Sequence, residues 1–312
     1  MKKSVKILIN TAVFLVIVCF IWYMIRTINS NETTNSVSIT EKQNESPFKQ
    51  VKIFEVPDEI SSFELYDGKL FIVATNSVFI FDIEGEQPLR FPIKQNVRDI
   101  TVRNKEIYIL YPTAIEVYNF NGDLLHDWEA CSDLSDYCSF AVVNDYLFVT
   151  DADNKNICKY TKEGRFIKFI KSPAGFIIPS YAFDISSWND TVYCVNSGRH
   201  SIETYTVDGD FITSFGSFGN EPGFFAGCCN PVFISFTPFG KLLTSEKGNP
   251  RVCLFERNGK FSGLLFDNEM FNAGNFARQV KMTENKLFIS ENNKISVFHL
   301  PIRIDSQINH LE

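Results

Sequence analysis

Beyond residue 26 the sequence has no stretch rich in Ala, Leu, Glu and Lys at helical spacing, which argues against a helical bundle as the body of the protein. Basic tracts are also missing past the first few residues. The 30 Lys and Arg are interspersed among 37 Asp and Glu, for a formal charge of −7, so nucleic acid is not an expected partner. Histidine is scarce: His126, His200, His299 and His310 are the whole supply, and a three-histidine zinc site is hard to build from them. What the chain has in quantity is Phe, with 31 copies, and Tyr, with 11. Aromatic side chains suit pleated, half-buried strands, and the apolar fraction of 45% is enough for a sizeable core.

The N-terminus carries the strongest local signal. Lys2, Lys3 and Lys6 precede nineteen residues, Ile7 to Ile25, in which only Asn10 and Thr11 are polar. At helical rise this run covers about 28 Å, close to the thickness of a bilayer's hydrocarbon. Trp22 and Tyr23 near its far end suit the membrane interface. A cleaved signal peptide is the alternative, but the run is longer than its usual apolar region and no Ala-x-Ala site follows. Three lysines before the run, against Arg26 just after it, place the N-terminus inside and the rest outside. The expectation is a single-pass signal-anchor over 1–26, with the remainder on the extracytoplasmic (periplasmic or cell-surface) side. Residues 27–49, rich in Asn, Ser, Thr and Glu without an apolar period, read as a flexible linker.

Internal repetition organises the rest of the chain. Six octets, VFIFDIEG (78–85), IEVYNFNG (115–122), ICKYTKEG (157–164), IETYTVDG (202–209), VCLFERNG (252–259) and ISVFHLPI (295–302), share Val or Ile followed three positions later by Phe or Tyr. Five of them end on an acid or Asn and then Gly; the sixth departs at Pro301. Such pairs after a β-rich run mark tight hairpin turns, because Gly takes positive φ without steric cost. A second element precedes each octet, from GKLFIV (68–73) to NKLFIS (285–290), with an earlier strand before it and another after each glycine. Four short antiparallel strands per repeat are the pattern of a propeller blade. The last unit supplies only three strands, and VKIFEV (51–56) is left over at the start. Placed as the outer strand of the last blade, it closes a ring of six and removes two exposed edges. The sequence therefore predicts an all-β, six-bladed β-propeller over 50–300, followed by a polar tail over 301–312.

The segment SSWNDTVYCVNSGRHSIETYTVDGDFITSFGSFGNEPGFF (186–225) resembles the NHL repeat in its order of strand, turn, strand, Asp-Gly turn, strand and Phe-Gly. The likeness is close over this blade, fair over 232–266 and weak over the first two blades. The resemblance implies a six-bladed fold without implying a reaction. Some propellers related to this repeat family are metal-dependent lyases or lactonases.

In such blades the two–three turns and the inter-blade links share one face. That face receives the long loops 130–139, 171–180, 216–231 and 266–276, and long ordered loops usually have a functional reason. Its turns gather Asp151, Asp153, Arg199, His200, Glu246, Lys247, Arg251 and Glu291. Of these, Arg199, His200, Glu246, Lys247, Arg251 and Asp151 are the candidate ligand-binding set, suited to a small polar ligand, a peptide or a protein partner's loop. Polar, water-facing turn residues are the plainer explanation for any one of them. A divalent metal on Asp151, Asp153, Glu246 or Glu291 is open but not indicated by spacing.

The cysteines are the remaining candidates. Cys158, Cys194 and Cys253 lie in strands and read as buried fillers. Cys131 and Cys138 share a loop and are the disulfide candidate for an extracytoplasmic domain. Cys228-Cys229 is the redox or metal candidate. A bond between neighbours whose Cα atoms are about 3.8 Å apart would be strained, so two thiols, pairing elsewhere, or two small residues in a tight loop all stay open. The sequence thus admits three functions: a membrane-anchored binding or scaffolding module, a metal-dependent propeller enzyme, or a thiol-dependent redox or metal-handling protein.

Overall fold

The structure, a computed structural model, describes residues 48–85, 87–268 and 276–300. The expected anchor (1–26), the linker up to residue 47 and the tail (301–312) lie outside the described residues. Among the described residues no helix is long and apolar enough to cross a membrane.

Twenty-four described strands form six four-stranded antiparallel sheets. After β1 (Lys49–Glu55), the first blade holds β2 (Ile60–Tyr66), β3 (Lys69–Ala74), β4 (Ser77–Asp82) and β5 (Leu89–Pro92). The second holds β6 (Asp99–Arg103), β7 (Glu106–Tyr111), β8 (Ala114–Tyr118) and β9 (Leu124–Glu129). The third holds β10 (Tyr137–Val143), β11 (Tyr146–Asp151), β12 (Asn156–Thr161) and β13 (Phe166–Ile170). The fourth comprises β14 (Ile185–Trp188), β15 (Thr191–Asn196), β16 (Ser201–Thr206) and β17 (Phe211–Phe215). The fifth comprises β18 (Phe233–Phe236), β19 (Leu242–Glu246), β20 (Arg251–Phe255) and β21 (Phe261–Phe266). The sixth is completed across the chain: β22 (Val280–Met282), β23 (Lys286–Glu291) and β24 (Lys294–His299) take β1 as their outer strand.

That closure is the ring the leftover N-terminal strand predicted. Phe54 pairs with Ile295 and Glu55 with Lys294. The strand begins two residues earlier than VKIFEV, and Phe48 is already buried, its ring 4.2 Å from that of Phe266. The last two residues assigned to the linker therefore belong to the domain, because Phe48 caps the apolar seam between the fifth and sixth blades.

Six buried clusters lie one between each pair of adjacent blades. The octet pattern follows from this packing. Its Val/Ile and Phe/Tyr positions enter the seams, as Val252 and Phe255 do. In four octets the glycine (Gly122, Gly164, Gly209 and Gly259) has positive φ and stands against the outer strand of the preceding blade, whereas Gly85 meets only its own Asp82. A Cβ on Gly259 (φ +86°) would lie 2.2 Å from Phe215, and one on Gly164 (φ +86°) 2.5 Å from Trp128. The repeated glycine thus serves both the hairpin and the blade-to-blade contact.

Candidate ligand-binding channel

The inner strand of each blade (β2, β6, β10, β14, β18 and β22) faces the ring axis. Together they enclose a cavity of about 970 Å³. It opens on the face of the short one–two turns, where Tyr66, Arg103, Asn144, Trp188, Asp190 and Pro238 form its rim. A smaller space of about 180 Å³, bordered by Ser61, Arg98, Cys138 and Tyr181, leads toward the loop-rich face. Asp99, Asp184, Phe233 and Gln279 border both spaces.

The constriction between them is a polar belt, to which every blade contributes near the start of its inner strand. Gln279 Nε2 donates to Ser62 Oγ at 3.2 Å, and Ser62 donates to Asp99 Oδ1 at 2.7 Å. Ser139 Oγ lies 2.8 Å from Asp99 Oδ2 and 2.6 Å from Asp184 Oδ1. The Ile234 N–H donates to Asp184 Oδ2 at 2.7 Å. Ser235 Oγ joins the fifth blade to the sixth by donating to the Val280 carbonyl at 2.6 Å. Just inside the wide cavity, Lys281 Nζ pairs with Glu64 Oε2 at 2.7 Å.

The Ser139 contacts carry a chemical constraint. A serine hydroxyl has one hydrogen, so it can donate to only one of the two carboxyl groups. The other contact is a hydrogen bond only if that carboxyl is itself protonated. Asp99 accepts from Ser62, from the Ile100 N–H at 2.8 Å and from the Phe140 N–H at 3.3 Å, which suits an ionised group. Asp184 has fewer donors. Burial, followed by the charge of Asp99, pushes its carboxyl up to about 7. The arrangement that satisfies every atom has Asp184 donating to Ser139 and Ser139 donating to Asp99. Burial pushes Asp99 up as well, against the opposing pull of Lys281 and its hydroxyl donors. Lys281 is lowered by burial, but Glu64, Asp99 and Asp184 outweigh this and hold its ammonium above the ordinary value.

The candidates read from the turns have other partners. Asp151 is fully buried and accepts from the backbone N–H groups of Asp136 and Asn154, both at 3.2 Å. Glu246 and Arg251 form a buried two-point pair, with Arg251 Nε 2.6 Å from Glu246 Oε1 and Nη2 3.0 Å from Oε2. The same guanidinium donates to the carbonyls of Asn220 and Phe224, each at 2.6 Å, and Glu246 accepts from the Ala226 N–H at 3.1 Å. These three residues hold loops in place through their own hydrogen bonds. Arg199 likewise donates to the carbonyls of Ala174 and Gly175. His200 takes a left-handed conformation, and its ring meets that of Phe218 at 5.2 Å. Glu291 pairs with Arg278 at 2.8 Å, and Asp153 is exposed. Among the described residues no three His, Cys, Asp or Glu side chains gather as metal ligands.

The cysteines of the disulfide candidate pack in different places. Cys131 Sγ lies 3.4 Å from Cys158 Sγ in the seam between the second and third blades. Cys138 packs in the next seam, against the fourth blade, because β10 turns it to the opposite side of the sheet. Cys228 and Cys229, in the link between β17 and β18, bring their sulfurs to 2.9 Å.

The turn-based reading missed the belt. Its only trace in the sequence is a polar residue opening several inner strands, with Asp-Ile occurring at both 99–100 and 184–185.

Ring and channel together define a six-bladed β-propeller. No family model matches the sequence, and no curated protein matches it. The structure is similar to that of a catalytically inactive virginiamycin B lyase from Staphylococcus aureus with quinupristin. The TM-score is 0.61 and the identity 14%, over 81% of this chain and 99% of that one. It is also similar to the Pan2 WD40 domain of Neurospora crassa (TM-score 0.57, 9% identity, 82% and 97% of the two chains). A protein of unknown function from Bacteroides thetaiotaomicron aligns with a TM-score of 0.57 at 11% identity, over 81% of this chain and 72% of that one. At such identities the likeness shows the fold alone.

Proposed function

We propose that this propeller is a binding module that holds a small polar ligand in its central channel. The observation that carries this reading is the cavity of about 970 Å³, which lies within the size range of small-molecule sites and ends on convergent polar groups. The belt and the Glu64–Lys281 pair offer mainly acceptor oxygens with one ammonium, so the matching ligand presents several hydrogen-bond donors. The NHL-type repeat and display on the outer side of a membrane belong to the same proposal. They rest on the octets and on the lysine-flanked apolar run at 7–25. An enzymatic use of the channel would rest on Asp184, whose carboxyl titrates near the pH at which a general acid or base works best.

A second mode, a peptide or protein at the loop-rich face, is favoured by the apolar side chains exposed on its loops. Leu134, Tyr181, Phe218, Phe224 and Phe276 are all solvent-facing there. A thermal-shift screen of the detergent-purified chain against polyamines, amino acids and sugars tests the channel. The expected result is a hit whose stabilisation is lost in Lys281→Met or Asp99→Asn. Hits that both variants retain would move binding away from the channel. Extraction of the chain without detergent would remove the anchor from the proposal.

A further inference from the structure

The link between β17 and β18 carries a chemical feature separate from the channel. At 2.9 Å the sulfurs of Cys228 and Cys229 are in hydrogen-bond contact, with either able to donate. Cys228 is exposed, whereas Cys229 is buried. The turn that carries them is held from both sides. Asn230 Nδ2 donates to the Ala226 carbonyl at 2.6 Å and to the Lys247 carbonyl at 2.9 Å, and the Lys247 N–H donates back to Asn230 Oδ1 at 2.9 Å. The Glu246–Arg251 pair fixes the preceding residues at Asn220, Phe224 and Ala226. Lys247 and Ser180, from two other loops, act on the Cys229 thiol and favour its ionised form.

We propose that Cys228 and Cys229 form a thiol–disulfide exchange site for low-molecular-weight disulfides, with Cys228 as the attacking sulfur and Cys229 as the resolving one. Cys228 first loses its proton to solvent while Cys229 keeps its own, and the Cys228 thiolate attacks one sulfur of the incoming disulfide. That S–S bond breaks, a Cys228 mixed disulfide forms, and the first small thiolate leaves and takes up a proton from water. Cys229 then loses its proton to solvent and attacks the Cys228 sulfur, expelling the second small thiolate. Two electrons pass from the cysteine pair to the small disulfide, which leaves as two thiols.

The surroundings match these roles. The hydrogen bond and charge of Cys229 hold the Cys228 thiol above its ordinary value, and a sulfur of higher pKa is the stronger nucleophile once ionised. Burial pushes the Cys229 thiol up, but hydrogen bonds from Cys228, Lys247 and Ser180, with the Lys247 charge, outweigh it and hold the group below its ordinary value. In the free pair the negative charge therefore favours Cys229; once Cys228 is in a mixed disulfide its hydrogen bond to Cys229 is gone, and Lys247 and Ser180 are what keep the resolving sulfur ionisable. Cys138, Cys158, Cys194 and Cys253 are all pushed up by burial, which outweighs the nearby Arg98 at Cys138 and Arg251 at Cys253. Exposure of one sulfur and retention of the other also separate attack from resolution.

Oxidised glutathione, followed by peptide mapping of the full chain in detergent, tests the site. The expected product is a Cys228–Cys229 disulfide with two glutathiones released. Cys229→Ser should stop at a glutathionyl adduct on Cys228, and Cys228→Ser should react at least tenfold more slowly at this peptide. Lys247→Met should slow the resolving step several-fold at pH 7 and shift its pH profile upward, a readout that a merely structural lysine would not move. Prior treatment with phenylarsine oxide, which needs two neighbouring thiols, should block the exchange. A wild-type chain that keeps the glutathionyl adduct, or in which Cys131 reacts faster than Cys228, would overturn the proposal.

Discussion

Replacing Asp184 by Asn asks whether the belt holds a proton. An amide has nearly the shape of a protonated carboxyl. In Asp184→Asn its NH2 can donate to Ser139 Oγ while its oxygen keeps the Ile234 N–H, so the variant fixes the neutral arrangement at every pH. In the wild type the Asp184 carboxyl is raised from an ordinary 3.8 to about 7 in the folded protein. Between these values the folded state binds a proton that the unfolded state has released, so stability falls as pH rises through that window. The contribution is fully present below about pH 4 and lost above about pH 7. A shift of roughly three pH units corresponds to a loss of about 4 kcal/mol across the window. Urea denaturation of both chains at pH 5, 6, 7 and 8 reads it. The difference (variant minus wild type) should grow steadily toward pH 7 and level off near pH 8, with the variant the more stable there. A difference independent of pH would refute the shared proton, because it would mean that Asp184 is ionised throughout the range.

Three other perturbations test the architecture by the same denaturation assay. Phe54→Ala, in the closing strand, should cost about 3–5 kcal/mol, and the loss should appear as one cooperative transition because the strand completes the ring. Arg251→Ala leaves Glu246 buried without its partner and should cost about 3–5 kcal/mol, while Arg251→Ala with Glu246→Gln should recover part of it. Gly259→Ala should destabilise by more than about 1 kcal/mol, since the position has positive φ and its added carbon meets Phe215; an unchanged midpoint would argue against the seam as described.

Much of the fold was legible because its determinants are local and repeated. The octet places an aliphatic and an aromatic residue on the faces of one strand in every blade and a glycine at the hairpin in five of the six. The leftover strand at 51–56 announced ring closure, since an unpaired edge in a propeller has one place to go. The packing of the turn residues was not legible, for an equally definite reason. Asp151, Glu246 and Arg251 look like any polar turn residues in sequence, and only their burial against carbonyls and N–H groups of distant loops shows that they are fasteners. Cys131 and Cys138 are seven positions apart, yet the first lies in the loop before β10 and the second within that strand, and they pack in different seams.

The channel belonged to tertiary structure from the start. Ser139 sits 40 positions from Asp99 and 45 from Asp184, with no local pattern connecting the three. The amino-acid sequence by itself determined the blade, its repetition and the closing strand, because these depend on spacings within one hairpin or one repeat. Where the carboxyl groups meet, which of them keeps a proton, and which face of the ring opens into a cavity were decided only when six inner strands converged on one axis. Burial and the field of a neighbouring charge exist there and nowhere along the unfolded chain.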